Sequence, residues 1–176
     1  MHTSLLEAAA MPPLDLILYV GFPYAVIVLF VAMTLKRYIT DKYSFSSFSS
    51  QFLENRHHFW GSVPWHIGIL ALVVGHGVAF LIPKGVLLWN AIPIRLWILE
   101  LSGLIFAIVA LTGLFNLIFR RITDAKVRVV TSKMDWVILS LLLVQVLTGI
   151  YVALFDRWGS SWFASVISHY LQSLFL

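Results

Sequence analysis

Residues 60–80 read Trp60-Gly61-Ser62-Val63-Pro64-Trp65-His66-Ile67-Gly68-Ile69-Leu70-Ala71-Leu72-Val73-Val74-Gly75-His76-Gly77-Val78-Ala79-Phe80. This stretch is apolar and long enough to cross a bilayer, for which about 20 residues suffice. It nevertheless keeps two ionisable side chains, His66 and His76, inside the hydrocarbon. Such groups are costly in lipid and mark a functional partner by default. At about 1.5 Å per residue the two imidazoles lie about 15 Å apart along a helix and about 80° apart in projection. Each belongs to a different leaflet, and together they cannot grip one iron. For imidazoles at two depths in a helix bundle the leading partner is haem, one ligand to each of two haems. Two plainer readings stay open: histidines hydrogen-bonded for structure alone, and a proton path without metal. Ala71, Gly75 and Ala79 recur at every fourth position, and Gly75 and Gly77 flank His76. Small residues let a flat macrocycle or a second helix come close.

The rest of the chain agrees with a membrane setting. Of its 176 residues 60% are hydrophobic and 11% charged, against about a quarter charged in soluble domains. The pattern predicts an all-α membrane protein, one domain over 1–176, with spans at Leu14–Leu35, Trp60–Ile82, Leu96–Phe119 and Asp135–Phe155. Residues 161–176 are too short to span and are expected along the outer surface. There is no cysteine, which excludes a cysteine-ligated iron–sulfur cluster, a covalently attached c-type haem and any disulfide. Met1–Pro13 lacks the basic start of a cleaved signal.

The net charge of +4 reads as topology rather than nucleic-acid binding. Lys36, Arg37, Lys42 and Arg56 lie between the first two spans, and Arg120, Arg121, Lys126, Arg128 and Lys133 between the last two. The positive-inside rule puts both segments in the cytoplasm and the N-terminus outside. Tyr38, Trp60, Trp65, Trp89, Trp97, Trp136, Trp158 and Trp162 read as an interfacial belt. Pro83 closes the second span, Pro93 opens the third, and Ser132-Lys133-Met134-Asp135 has capping-box spacing. Residues Ser44–Ser50 read as a polar and aromatic cytoplasmic linker. Gln145 is expected to hydrogen-bond between helices. Glu100 sits about one turn into the third span, as a proton acceptor or a snorkelling carboxylate. Arg120 and Arg121 are topology signals or cations for haem propionates. His57 and His58 read as solvated interface residues, His2 as uninformative, and His169 as a surface residue able to approach the outer haem.

His66-Ile67-Gly68-Ile69-Leu70 with Val74-Gly75-His76 resembles the second transmembrane helix of the gamma subunit of respiratory nitrate reductase, a dihaem cytochrome b. The resemblance extends to Arg120-Arg121 with Val127-Arg128, to Asp135, and to Ile138-Leu139-Ser140-Leu141-Leu142 with Gln145 and Gly149. It implies a five-helix subunit of a bacterial or archaeal cytoplasmic membrane that oxidises quinol near the outer face. Electrons would pass through two b haems to a cytoplasmic iron–sulfur subunit, and on to a molybdenum subunit that reduces nitrate. By matching position, His66 would ligate the inner haem and His76 the outer one, and Arg121 would meet the inner propionates. The family's quinol site includes a lysine near the start of the third helix. Here that stretch reads Ile92-Pro93-Ile94-Arg95-Leu96-Trp97, which leaves Arg95, Glu100 and His76 as the quinol and proton candidates. The family's fifth helix carries a second histidine pair, and the sequence stops at Leu176. The expectation is therefore that these 176 residues supply half of the axial ligands and bind haem poorly alone. Other readings are a haem-free anchor or assembly subunit, and the equivalent cytochrome of a sulfur-compound reductase.

Overall fold

A backbone in lipid has no water to bond, so an apolar run of this length satisfies its amides as helix. The computed structural model follows that constraint. It describes residues 13–40, 56–156 and 158–175, and the side chains of residues 13 and 56–58 lie outside that description. No strand occurs among the described residues. Residues 44–50, read as a linker, and His2 also lie outside them.

The chain forms two units, Met1–Ser47 and Phe48–Leu176. The first contains α1 (Leu14–Thr40), which widens into a π-turn at Ile17–Gly21. Pro23 explains the widening: it has no N–H for the carbonyl of Tyr19, and its ring would press on that carbonyl in a regular α-turn. The second unit contains α2 (Arg56–Leu81), α3 (Pro83–Asn90), α4 (Pro93–Thr123), α5 (Ala125–Val130) and α6 (Lys133–Phe155). A last helix, α7, runs through Gly159–Trp162, a π-turn at Phe163–Ile167 and Ser168–Ser173.

The punctuation is local chemistry. Pro83 and Pro93 open α3 and α4 at positions where a missing N–H costs nothing. Asp124 caps α5 through Oδ1, which accepts from the amide of Lys126 at 2.9 Å. The expected capping box forms: the amide of Ser132 donates to Asp135 Oδ2 at 2.8 Å, and the amide of Asp135 to Ser132 Oγ at 3.2 Å. Trp158 adopts a left-handed conformation (φ 75°) where the chain reverses from α6 into α7.

Four helices among the described residues are long and apolar enough to cross a membrane: Leu14–Thr40, Phe59–Leu81, Pro93–Thr123 and Lys133–Phe155. Each matches a predicted span, and the first and third run several residues further. Hydrophobicity marks where a helix enters lipid, whereas its hydrogen bonds continue through Lys36, Arg37, Arg120 and Arg121, whose side chains favour helix.

α2 and α4 cross at backbone contact. A methyl placed on Gly68 would stand 2.5 Å from the nitrogen of Ala110 and 2.7 Å from the carbonyl oxygen of Phe106. One on Gly113 would collide with the nitrogen of Trp65, and one on Gly61 would meet Leu117. Ala107, Ala110 and Leu114 are buried on the α4 side. Leu114, Leu139 and Val146 form the apolar cluster between α4 and α6, with Trp65, Leu111, Ile118, Leu142, Leu143 and Ile150 packed around it. Trp65 is thus a packing residue rather than a member of the belt. The close-packed face of α2 is Gly61 and Gly68, not Ala71–Gly75–Ala79: a methyl on Gly75 or Gly77 would have no neighbour within 4 Å.

These glycines are expected to separate in mutagenesis. Gly68→Ala should cost about 1–3 kcal/mol through overpacking, and Gly75→Ala nearly nothing from packing. Reversible unfolding in mixed micelles checks this, and equal effects at the two sites would contradict the crossing.

Candidate functional site

His66 and His76 stand on the single continuous helix α2, both exposed. Their rings are held the same way. Nδ1 of His66 lies 2.7 Å from the carbonyl oxygen of Ser62, and Nδ1 of His76 lies 2.8 Å from that of Leu72. A carbonyl oxygen can only accept, so Nδ1 carries the proton at both positions. The neutral ring then keeps its lone pair on Nε2, the form in which histidine ligates a metal. Ser62 Oγ is a second neighbour of His66 Nδ1, at 3.2 Å. His76 instead meets the edge of the Phe163 ring, centroids 5.0 Å apart at 90°. Among the described residues no group of three or more His, Asp or Glu gathers as a metal site.

The facing pairs Gly61–Leu117, Gly113–Trp65 and Gly68–Ala110 fix the register of α2 against α4. Continued along both helices, that register puts Glu100 at the depth of Val78, about 3 Å from the level of His76. It puts Arg121 at the level of residue 57, about two and a half turns beyond His66 toward the basic end.

α7 builds the end near His76. Pro83 has no N–H to give the carbonyl of Ala79, and Ser168 replaces it: Ser168 Oγ, fully buried, donates to that oxygen at 2.9 Å. Gln172 Nε2 donates to the next carbonyl, that of Phe80, at 2.6 Å. Helix α7 therefore caps α2 one turn past His76. One face of α7 holds Phe163 against His76 and, a turn earlier, Ser160 against Glu100, whose Oε1 accepts from Ser160 Oγ at 3.1 Å. Asn90, 6% exposed, donates through Nδ2 to Ser160 Oγ and Ser161 Oγ, each at 3.0 Å.

The remaining candidates separate. Arg95 is exposed, with its guanidinium 5.1 Å from the centre of the Trp89 ring, and Trp89 Nε1 donates to the Arg95 carbonyl at 3.2 Å. Arg121 is half-buried, its Nε is enclosed without a hydrogen bond among the described residues, and Asp135 and Arg120 are the charges that act on it. His169 is exposed on α7, and the side chains of His57 and His58 are outside the described residues. Gln145 does not bridge helices among the described residues; its side chain is exposed, and its backbone carbonyl accepts from Thr148 Oγ1 at 3.0 Å. Sequence reasoning missed Ser62, Phe163, Ser160 and Asn90. Ser62 was visible four residues before His66. The others come from distant elements and left no local signal.

The helices define a multi-pass, all-α membrane protein that carries two histidines on one span. The chain belongs to the nitrate reductase gamma subunit family, whose model matches residues 15–176. It is 35% identical over 136 residues to the nitrate reductase gamma chain of Bacillus subtilis, covering 76% of this chain and 61% of that one. It is 32% identical over 140 residues to the respiratory nitrate reductase 2 gamma chain of Escherichia coli, covering 78% and 61%. A nitrate reductase-like protein of Mycobacterium tuberculosis is 31% identical over 136 residues, 73% of this chain and 20% of that protein. The chain thus spans about three-fifths of the length of the first two relatives.

Ser168→Ala leaves the Ala79 carbonyl buried without a donor, at an expected cost of about 1–3 kcal/mol. Hydrogen exchange should show faster opening of α7 and of the α2 end around Ala79, while the Gly68 crossing keeps its protection.

Proposed function

We propose that this chain is the electron-transferring membrane subunit of a respiratory nitrate reductase, with α2 giving one axial imidazole to each of two b-type haems. The observation that carries this reading is the shared Nδ1-to-carbonyl bond, which leaves Nε2 of both His66 and His76 as a free lone pair at two depths of one span. The residues fit the group in two further respects. A methyl on Gly75 or Gly77, which flank His76, would meet nothing within 4 Å, and the enclosed Nε of Arg121 has no hydrogen-bond acceptor among the described residues, as suits a cation meant for a propionate. The names of the B. subtilis and E. coli relatives support the nitrate reductase assignment.

When bound, the haems supply one-electron carriers, and the protein supplies ligation, spacing and electrostatics. The basic end faces the cytoplasm, with the N-terminus outside. His66 would then hold the inner haem, with Arg121 as a cation for its propionates, and His76 would hold the outer one. Quinol is oxidised near His76, giving up two electrons and two protons. Glu100, at nearly the same depth and oriented by Ser160, accepts the two protons one after the other and passes each outward. Arg95, whose guanidinium lies 5.1 Å from the centre of the Trp89 ring, is a further group for holding the quinol. The basic segments Arg120–Lys133 dock a cytoplasmic iron–sulfur subunit, which feeds a molybdenum subunit. Nitrate itself never meets this chain.

The assay is haem stoichiometry and quinol-dependent reduction in the full membrane complex. His66→Ala and His76→Ala should each remove one of two protohaems, and turnover with quinol should fall at least about tenfold, the lower bound for loss of even a supporting contact. Unchanged protohaem in both variants, or none in the wild-type complex, would favour a haem-free anchor or assembly subunit. Turnover with a sulfur compound in place of nitrate would reassign the terminal acceptor and leave the haem assignment standing.

A further inference from the structure

His66 and His76 share one contact and differ in another. Both send Nδ1–H to the carbonyl one turn back, at 2.7 and 2.8 Å. At His66 the residue that owns this carbonyl is Ser62, and its hydroxyl oxygen also lies 3.2 Å from Nδ1. At His76 the corresponding residue is Leu72, which has no polar side chain. Because the carbonyl fixes the proton on Nδ1, the Ser62 hydroxyl can meet that N–H only as a second acceptor. Its distance is at the long edge of hydrogen-bond range, and its half-buried position weakens competition from water.

We propose that Ser62 is a positioning residue that makes the His66 imidazole the stronger donor of the two. This rests on the assignment of both imidazoles as axial haem ligands. A second oxygen on Nδ1–H draws the proton further from the ring, raises electron density at Nε2, and restricts rotation of the ring on the helix wall. A more basic axial imidazole favours ferric over ferrous iron, one of the levers by which a protein sets a haem potential. Ser62 thus holds the His66-ligated centre at a lower potential than a leucine at that position would. It provides a means of setting two centres on one helix apart without altering either ligand.

The i−4 relation makes the test reciprocal. In the full membrane complex, potentiometric titration followed by optical and EPR spectroscopy resolves the two centres, each assigned by the signal that survives in His76→Ala or His66→Ala. Ser62→Ala should raise the midpoint potential of the His66 centre alone. Ser62→Thr, which keeps a hydroxyl, should retain the wild-type value. Leu72→Ser, which builds the same arrangement behind His76, should lower the other centre alone. Potentials unchanged in both Ser62→Ala and Leu72→Ser, or shifted equally at both centres, would overturn the proposal while leaving the haem assignment intact. If Ser62→Ala loses its haem, Leu72→Ser decides alone: a lowered His76 centre supports the proposal and an unmoved one overturns it. A wild-type complex without protohaem overturns the assignment, and this inference with it.

Discussion

The bond from each imidazole to the carbonyl one turn behind it determines what both histidines can do. In lipid an N–H must find an acceptor within the protein, and on the face of a helix the i−4 carbonyl is the nearest one at both histidines. Meeting that requirement has a chemical by-product: the proton is confined to Nδ1, and Nε2 is left as a lone pair directed away from its own helix. The proton positions of His66 and His76 are therefore set by the same force that makes their segment helical. Their separation in depth follows from ten residues of helical rise, and needs no further device.

Packing divides α2 into two halves. At Gly68 it touches the backbone of α4 so closely that an added carbon has no room, and at Gly61 an added carbon would press on the Leu117 side chain. A carbon added to Gly75 or Gly77 would meet nothing described within 4 Å. The first half anchors the helix and sets its register, which brings Glu100 close to the level of His76. The second half stays open beside that imidazole, and α7 fixes it from beyond, by supplying hydroxyl and amide donors to the two carbonyls at the Pro83 break. A helix terminated by proline in the membrane needs such a donor from elsewhere, so docking of α7 and placement of His76 are parts of one arrangement.

The spans, their caps and the histidine pair were legible because each is a local property: hydrophobic run length, a Ser132–Asp135 spacing, two imidazoles ten residues apart. The packing face was not legible. Ala71, Gly75 and Ala79 form the more obvious small-residue stripe, open to a macrocycle or a second helix, yet Gly61 and Gly68, seven apart, face Leu117, Gly113 and Ala110 of α4. Which stripe is used depends on both helices, and one helix alone does not reveal it. Trp65 was read as part of the belt and packs on the core instead, since proximity to the membrane boundary and packing at a helix crossing select the same large side chain. The polar chain Asn90–Ser160–Glu100 was illegible for a plainer reason: its members lie up to 70 residues apart, and only the reversal at Trp158 brings them together. Gln145 shows the converse case, a polar residue in a span that no described helix takes up.

The central claim is that Nε2 of both histidines is offered to iron while Nδ1 keeps its proton. Pulsed EPR on the oxidised membrane complex, grown with 15N-histidine, reads this directly. Two low-spin ferric centres, each with a directly coordinated 15N and a remote protonated 15N that exchanges its proton slowly, are the result expected. Centres without coordinated histidine nitrogen, or with iron bound through Nδ1, would contradict it.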